Sequence, residues 1–271
     1  MIVRPVHASD WEQFITLAQG ENWRVPQFEL QLFQGSWSRF VHVADDQGVC
    51  GLATAVAYQS SAWIGNLIVS PQKRGRGYGA ALFKTVLAEL VEQGIKSVWL
   101  TASVQGQPIY QRAGFVEVGR IERWVRPASA ALTEISDQES SQTDILFRED
   151  RIGWGEDRQP LLSALAGHGR VFSDEAGAAL LQLWPDLQMI GPWYSRSTNV
   201  QQSSKLLDRM VAKANQAAEL VLDVFAARNL ATPLLGAGFE LAGETTLMAY
   251  GEVSGIDLGS MVSLASLGSI G

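Results

Sequence analysis

A mixed α/β fold, with a mostly antiparallel central sheet flanked by helices, is predicted by three features of this 271-residue sequence. Apolar runs at 40–44, 49–58 and 62–69 are separated by the turns Asp45-Asp46-Gln47-Gly48 and Gln59-Ser60-Ser61, which is the spacing of an antiparallel meander. A basic, glycine-packed turn then leads from the third run into a long amphipathic helix. Finally, the ending of this unit recurs weakly in the second half, so the same fold is expected twice.

Taken in order, residues 2–6 alternate as a first strand, and Ser9 or Asp10 caps a helix running to about Ala18. A loop holding Glu21-Asn22-Trp23 precedes a second helical stretch near 26–33, after which the three meander strands follow. The helix beyond the glycine turn carries Leu82, Val86 and Leu90 beside Phe83, Leu87 and Val91, a broad face to bury, and Gly94 stops it. A strand at 97–101, a short helix through Tyr110 ending in Gly114, and a strand at 115–125 complete the unit. From Pro127 to 144 the chain is rich in Ser, Gln and Asp, which is linker composition. Beyond it, Val221-Leu222-Asp223-Val224 and Pro233-Leu234-Leu235-Gly236-Ala237-Gly238-Phe239 echo the strand at 98 and the Pro108–Phe115 ending, with a helix at about 200–212 before them.

Composition narrows the class. A content of 46% hydrophobic and 9% aromatic residues is globular, and the length suits two domains. Cys50 stands alone in an apolar stretch and reads as a small buried hydrophobe, so no disulfide framework exists. With no long apolar run and no leader pattern, a cytoplasmic protein without a membrane partner is expected. Residues 1–127 hold 12 Lys/Arg against 10 Asp/Glu and the rest 9 against 18, so an anionic ligand belongs to the first half. The acidic balance and the absence of a basic stripe argue against nucleic acid. His7 and His168 have no partners at metal-ligand spacing, so no metal is expected.

The turn Arg74-Gly75-Arg76-Gly77-Tyr78-Gly79 carries the chemistry. Glycines that take positive φ turn successive N–H groups inward, the following helix adds its positive end, and two arginines bring charge, which together make a cradle for a diphosphate. A Walker loop would end in Gly-Lys-Ser/Thr, where this chain reads Gly79-Ala80-Ala81. A dinucleotide fingerprint would space its glycines differently and place an acid after the next strand, where none stands.

With Tyr110 ahead of Gly114-Phe115, and Ile2-Val3-Arg4-Pro5 followed by Ser9-Asp10, the sequence resembles the GNAT family of N-acetyltransferases. The resemblance implies two tandem GNAT-like domains: a catalytic domain at 1–127, a linker at 128–144 and a degenerate domain at 145–271. In the last, Tyr194-Ser195-Arg196-Ser197-Thr198-Asn199 replaces the glycine turn and Leu234 replaces the tyrosine. Gly155-Glu156-Asp157-Arg158 and Ile190-Gly191-Pro192-Trp193 resemble phrases of bacterial two-domain members. By the same resemblance the cosubstrate is acetyl-CoA, its pyrophosphate held by Arg74, Gly75, Arg76, Gly77, Tyr78, Gly79 and Ala80. Leu67, Ile68 and Val69, on a strand with a bulge, would offer backbone hydrogen bonds to the pantetheine arm, and Ser103 stands where many members have asparagine. Tyr110 is implied as the proton donor to the departing thiolate. The general base stays open: Asn66 fills the place where many members carry an acid, leaving Glu21 and His42 as candidates. The implied reaction is direct transfer to a primary amine, either a small molecule or amino-acid-like, with homodimerisation left open. A non-catalytic acyl-CoA sensor or scaffold and a protein acetyltransferase are the alternatives.

Overall fold

The structure, a computed structural model, describes residues 1–34, 40–46, 48–129, 143–185, 187–253 and 255–271. The first half runs β1 (Ile2–Pro5), α1 (Asp10–Gly20), α2 (Gln27–Gln34), β2 (Phe40–Asp45), β3 (Val49–Ala57), β4 (Ser61–Val69), α3 (Tyr78–Glu92), β5 (Ser97–Ala102), α4 (Gln107–Arg112) and β6 (Val116–Arg126). The second runs α5 (Thr143–Trp154), α6 (Gln159–Ala166), β7 (Gly169–Ser173), β8 (Gly177–Leu183), β9 (Gln188–Ser195), α7 (Val200–Lys213), β10 (Leu220–Phe225), α8 (Ala231–Gly236), β11 (Glu240–Gly251) and β12 (Met261–Ser263). From α1 to β6 and from α5 to β11 the order of helices and strands is the same. Most of the expected linker falls on 130–142, outside the described residues.

Local physics accounts for most boundaries. α1 is not capped by the Ser9 hydroxyl; instead Asp10 accepts from the His7 N–H at 2.6 Å and from Arg4 at 2.8 Å, fixing the turn into the helix. α3 ends where Gly94 takes φ 83°, a left-handed conformation that costs a residue with a Cβ about 1 kcal/mol or more. Leu82, Phe83, Val86 and Leu90 of α3 are buried, whereas Val91 is exposed, so the buried face is narrower than the sequence suggests.

The sequence leads one to expect a sheet in each half, but a single twelve-stranded sheet is found, ordered β1-β2-β3-β4-β5-β11-β6-β10-β12-β9-β8-β7. The reason lies in its centre. β11 pairs antiparallel with both β5 and β6, and β6 pairs antiparallel with both β11 and β10. Each half thus lends a long strand, β6 or β11, to the other, and each strand covers an edge that would otherwise be unpaired. β12 is also inserted, between β10 and β9, whose direct pairing is confined to Leu220↔Gln188 and Val221↔Met189.

The core is shared to match. Trp11, Phe14 and Ile68 pack in one cluster with Leu161, Met189 and Ile270. Glu156 accepts from the N–H groups of Gln59 and Ser60 at 2.9 and 3.1 Å, tying the loop after α5 to the β3–β4 hairpin. Arg158, fully buried, donates to Asp150 at 2.6 Å and to the Tyr194 hydroxyl at 3.1 Å, with its guanidinium 3.9 Å from the Trp154 ring centre. Burial opposes that charge and Asp150 more than restores it, so Arg158 stays protonated. The phrase Gly155-Glu156-Asp157-Arg158 is therefore a joint between the halves.

Candidate active site

The opening in the sheet begins at a bulge. β3 and β4 pair as Leu52↔Ile68 and Thr54↔Gly65, so Asn66 and Leu67 together face Ala53 alone. Asn66 takes φ 51°, and its side-chain amide donates to the Thr54 hydroxyl at 3.2 Å. Beyond the bulge β4 parts from β5, and their parallel pairing stops at Trp63↔Trp99. A cavity of ≈ 170 Å³ lies in the gap. Asn66 and Leu67 line it from β4, and Thr101 and Ser103 from the end of β5. Tyr110 lines it from α4, while Trp23, Arg24 and Glu29 close it from the α1–α2 side. Arg123 of β6 and Ser269 complete the wall.

Tyr110 is 7% exposed, with its ring edge-on to Phe83 at 5.0 Å. Its hydroxyl makes no hydrogen bond among the described residues, and burial pushes its pKa up to about 12, above the ordinary phenol value of about 10. It therefore holds its proton across the neutral range. Ser103 sits beside it, accepting from the Gly106 N–H at 3.2 Å.

The glycine turn lies at the outer end of β4. Gly75 and Gly77 take φ 72° and 84°, and no atom lies within 4 Å of where a Cβ would stand on either. Gly79 differs from expectation: it is the second residue of α3, outside the left-handed region, and a Cβ there would meet the Val69 side chain at an ordinary contact distance of 3.6 Å. The Ala81 N–H makes the first helical bond, to Gly77, so the N–H groups of Tyr78, Gly79 and Ala80 have no partner within the helix. Arg76 is exposed and makes no ion pair among the described residues. A row of free N–H donors at a helix N-terminus beside a cation suits a diphosphate.

Other expected residues are arranged differently. Arg74 is turned away from the helix start, donating to Glu21 at 2.6 Å and to the Val69 carbonyl at 3.0 Å. The Tyr78 side chain folds back and donates to Asp46 at 2.8 Å, leaving only its backbone at the turn. Ile68 points into the core cluster of Trp11 and Phe14, and among residues 67 to 69 only Leu67 lines the cavity. His42 is buried on β2, and its Nε2 lies 2.9 Å from Glu89 of α3, with β3 between its strand and β4. Neither Glu21 nor His42 lines the cavity. Glu21 is thus placed as a competitor for Arg74. Glu21→Gln is expected to retain turnover and to tighten acetyl-CoA binding about 2- to 5-fold, the worth of releasing an exposed ion pair, as read by calorimetry. A loss of turnover would restore Glu21 as a base.

Several cavity residues escaped the sequence reading, Glu29, Arg123 and Ser269 among them. Glu29 lies four residues before the buried Phe33, on the same helix face, a position where an acid is out of place among apolar neighbours. Arg123 falls between Ile121 and Val125 in a strand of period two, on their buried face. Ser269 gave no signal. Among the described residues no helix is long and apolar enough to cross a membrane, and no group of three or more His, Cys, Asp or Glu is placed to hold a metal ion.

Residues 15–124 match the family model of the acetyltransferase (GNAT) domain. No curated protein matches the chain. Among solved structures, a Pyrococcus horikoshii protein provisionally described as an acetyltransferase is 19% identical with a TM-score of 0.77, over 98% of this chain and 94% of that one. A GCN5-related N-acetyltransferase from Sphaerobacter thermophilus is 15% identical with a TM-score of 0.65, over 96% and 98%. One from Anabaena variabilis is 16% identical with a TM-score of 0.55, over 92% and 72%. At these identities the likeness is one of fold, and it extends through both halves of the chain.

Proposed function

We propose that the chain is an acetyl-CoA-dependent N-acetyltransferase that passes the acetyl group directly to a small primary amine. Residues 1–127 would be the catalytic unit, and 145–271 a second unit of the same design without the chemical parts. The observation that carries this reading is the bulge at Asn66 and Leu67. It opens β4 from β5 and leaves the unpartnered Tyr110 hydroxyl on the wall of the resulting cavity, beside the strand that leads to the glycine turn.

Acetyl-CoA bound there would supply an activated acyl group. The donors of residues 75–80 would hold its diphosphate, and Arg76 would add charge, with Arg74 joining once released by Glu21. The exposed edge of β4 near Leu67 would receive the pantetheine arm as an added strand. A neutral amine entering from the side of Trp23 and Glu29 forms the N–C bond as the C–S bond breaks. Tyr110 gives its proton to the sulfur, and the surplus proton of the amine leaves on the acceptor side. Tyr110 is a weak acid at a pKa of about 12, but the dry surroundings that raise it raise the proton affinity of a thiolate as well.

Three measurements test this. Calorimetry should find one acetyl-CoA per chain, since β12 fills the opening between β9 and β10. Tyr110→Phe keeps the packing on Phe83, so turnover should fall about 10²-fold with cofactor affinity unchanged. The wild-type rate should show no loss from phenol ionisation up to pH 10. An unaltered rate in the phenylalanine variant would remove Tyr110 from its role.

A further inference from the structure

The second half supplies one part of the cavity wall, Thr245 and residues 267–269. After β12 the chain crosses beneath β4, held at three places: the Trp63 indole donates to the Gly268 carbonyl at 2.9 Å, the Tyr58 hydroxyl to the Ile270 carbonyl at 2.6 Å, and Arg123 to the Leu267 carbonyl at 2.9 Å. The approach is so close that a Cβ on Gly65 would stand 2.7 Å from the backbone of Ser269. The Ser269 N–H is bonded to the Ser266 hydroxyl, and its own side chain is the exception to this order. Its hydroxyl is buried, with the residue 2% exposed, lies on the cavity wall and has no hydrogen-bond partner among the described residues. A buried hydroxyl left unmatched in an otherwise fastened segment calls for a ligand.

The charges around it narrow the ligand. Glu29, 2% exposed, is the carboxylate of the cavity wall. Arg24 and Arg123 also line it, each held through Nε and Nη2 by a second-half carboxylate, Glu219 or Asp223. Burial opposes the charge on Arg123, and Asp223 with Glu29 more than offsets it. The Nη1 group of each arginine makes no hydrogen bond among the described residues. The wall therefore offers one carboxylate, two guanidinium donors and one hydroxyl donor. A simple amine would leave the guanidinium donors and the hydroxyl unmatched.

Resting on the N-acetyltransferase reading, we infer that the acceptor is a free amino acid. Its ammonium group is countered by Glu29, and its carboxylate is received by the Ser269 hydroxyl together with the arginine donors. Space agrees with this. At ≈ 170 Å³ the cavity is below the roughly 300–1,000 Å³ of drug-sized pockets, which suits a small acceptor.

The test uses the full chain. Acetyl-CoA is first titrated by calorimetry, and thiol release is then followed with the common α-amino acids. Histamine, tyramine, agmatine and cadaverine serve as counterparts lacking the carboxylate, and a short peptide with a free N-terminus is included. At least one of histidine, tyrosine, arginine, lysine or the other amino acids should be turned over, with the decarboxylated counterparts and the peptide at least about tenfold poorer in kcat/KM. Ser269→Ala should raise KM for that amino acid about tenfold, shrink its advantage over amines and leave acetyl-CoA affinity unchanged, a pattern that a general loss of structure would not produce. Ser269→Val, which fills the space, should do the same more strongly. Binding of acetyl-CoA without turnover of any amino acid, equal use of amines or peptide, or a preference unmoved by both variants would each overturn the inference and leave the acetyltransferase reading standing. Absence of acetyl-CoA binding would bring down both.

Discussion

A chain carrying Gly77→Glu is expected to fold and to lose acetyl-CoA affinity by at least about 100-fold. Gly77 is the N-cap of α3 at φ 84°, with open space where a Cβ would stand, so the new side chain meets no neighbour. The cost to folding is the left-handed backbone alone, about 1–2 kcal/mol. The cost to binding is larger, because the carboxylate competes for the free N–H groups of Tyr78, Gly79 and Ala80 and repels the diphosphate directly. Gly77→Ala carries the same backbone strain without the charge and should lose much less. Calorimetry with thermal melts of both variants separates the two effects. Unchanged affinity in the glutamate variant would place the cofactor elsewhere.

The second large effect concerns the halves. Residues 1–127 expressed alone should show no cooperative melt and no acetyl-CoA binding, and co-expression with 143–271 should restore both. Without β11, the neighbouring edges of β5 and β6 are both unpaired, and Leu247, Met248 and Ala249, all buried, are lost from between them. The cluster that seats Ile68, next to the bulge, loses Leu161, Met189 and Ile270 as well. A monomeric 1–127 fragment that unfolds cooperatively would show that the exchanged strands are dispensable.

Local structure was legible in the sequence because local rules set it. The meander β2–β3–β4, the helix after the glycine turn, and Tyr110 ahead of Gly114 all follow from alternation, capping and turn chemistry over short stretches. What was hidden depends on partners far away in the chain. The alternation of β6 shows a strand with one buried face, and nothing in it says that its neighbours are β10 and β11. Arg123 reads as an oddity until Asp223 and Leu267 are brought to it. The candidate bases show the same limit: Glu21 and His42 have suitable chemistry, but their neighbours, Arg74 and Glu89, are set by folding. Ser269 belongs to a stretch of small residues without periodicity, and its place is fixed only by the strands that it crosses.

β12 has a further consequence for any attempt to give the second half a coenzyme site of its own. Restoring glycines ahead of α7 would supply a phosphate cradle, but the slot between β9 and β10 already holds a covalently tethered occupant. Tethering presents that segment at an effective concentration on the order of millimolar, and a diffusing thioester would have to outcompete it. Redesign would have to begin by detaching residues 261–263, and with them the stretch that runs on to the other cleft.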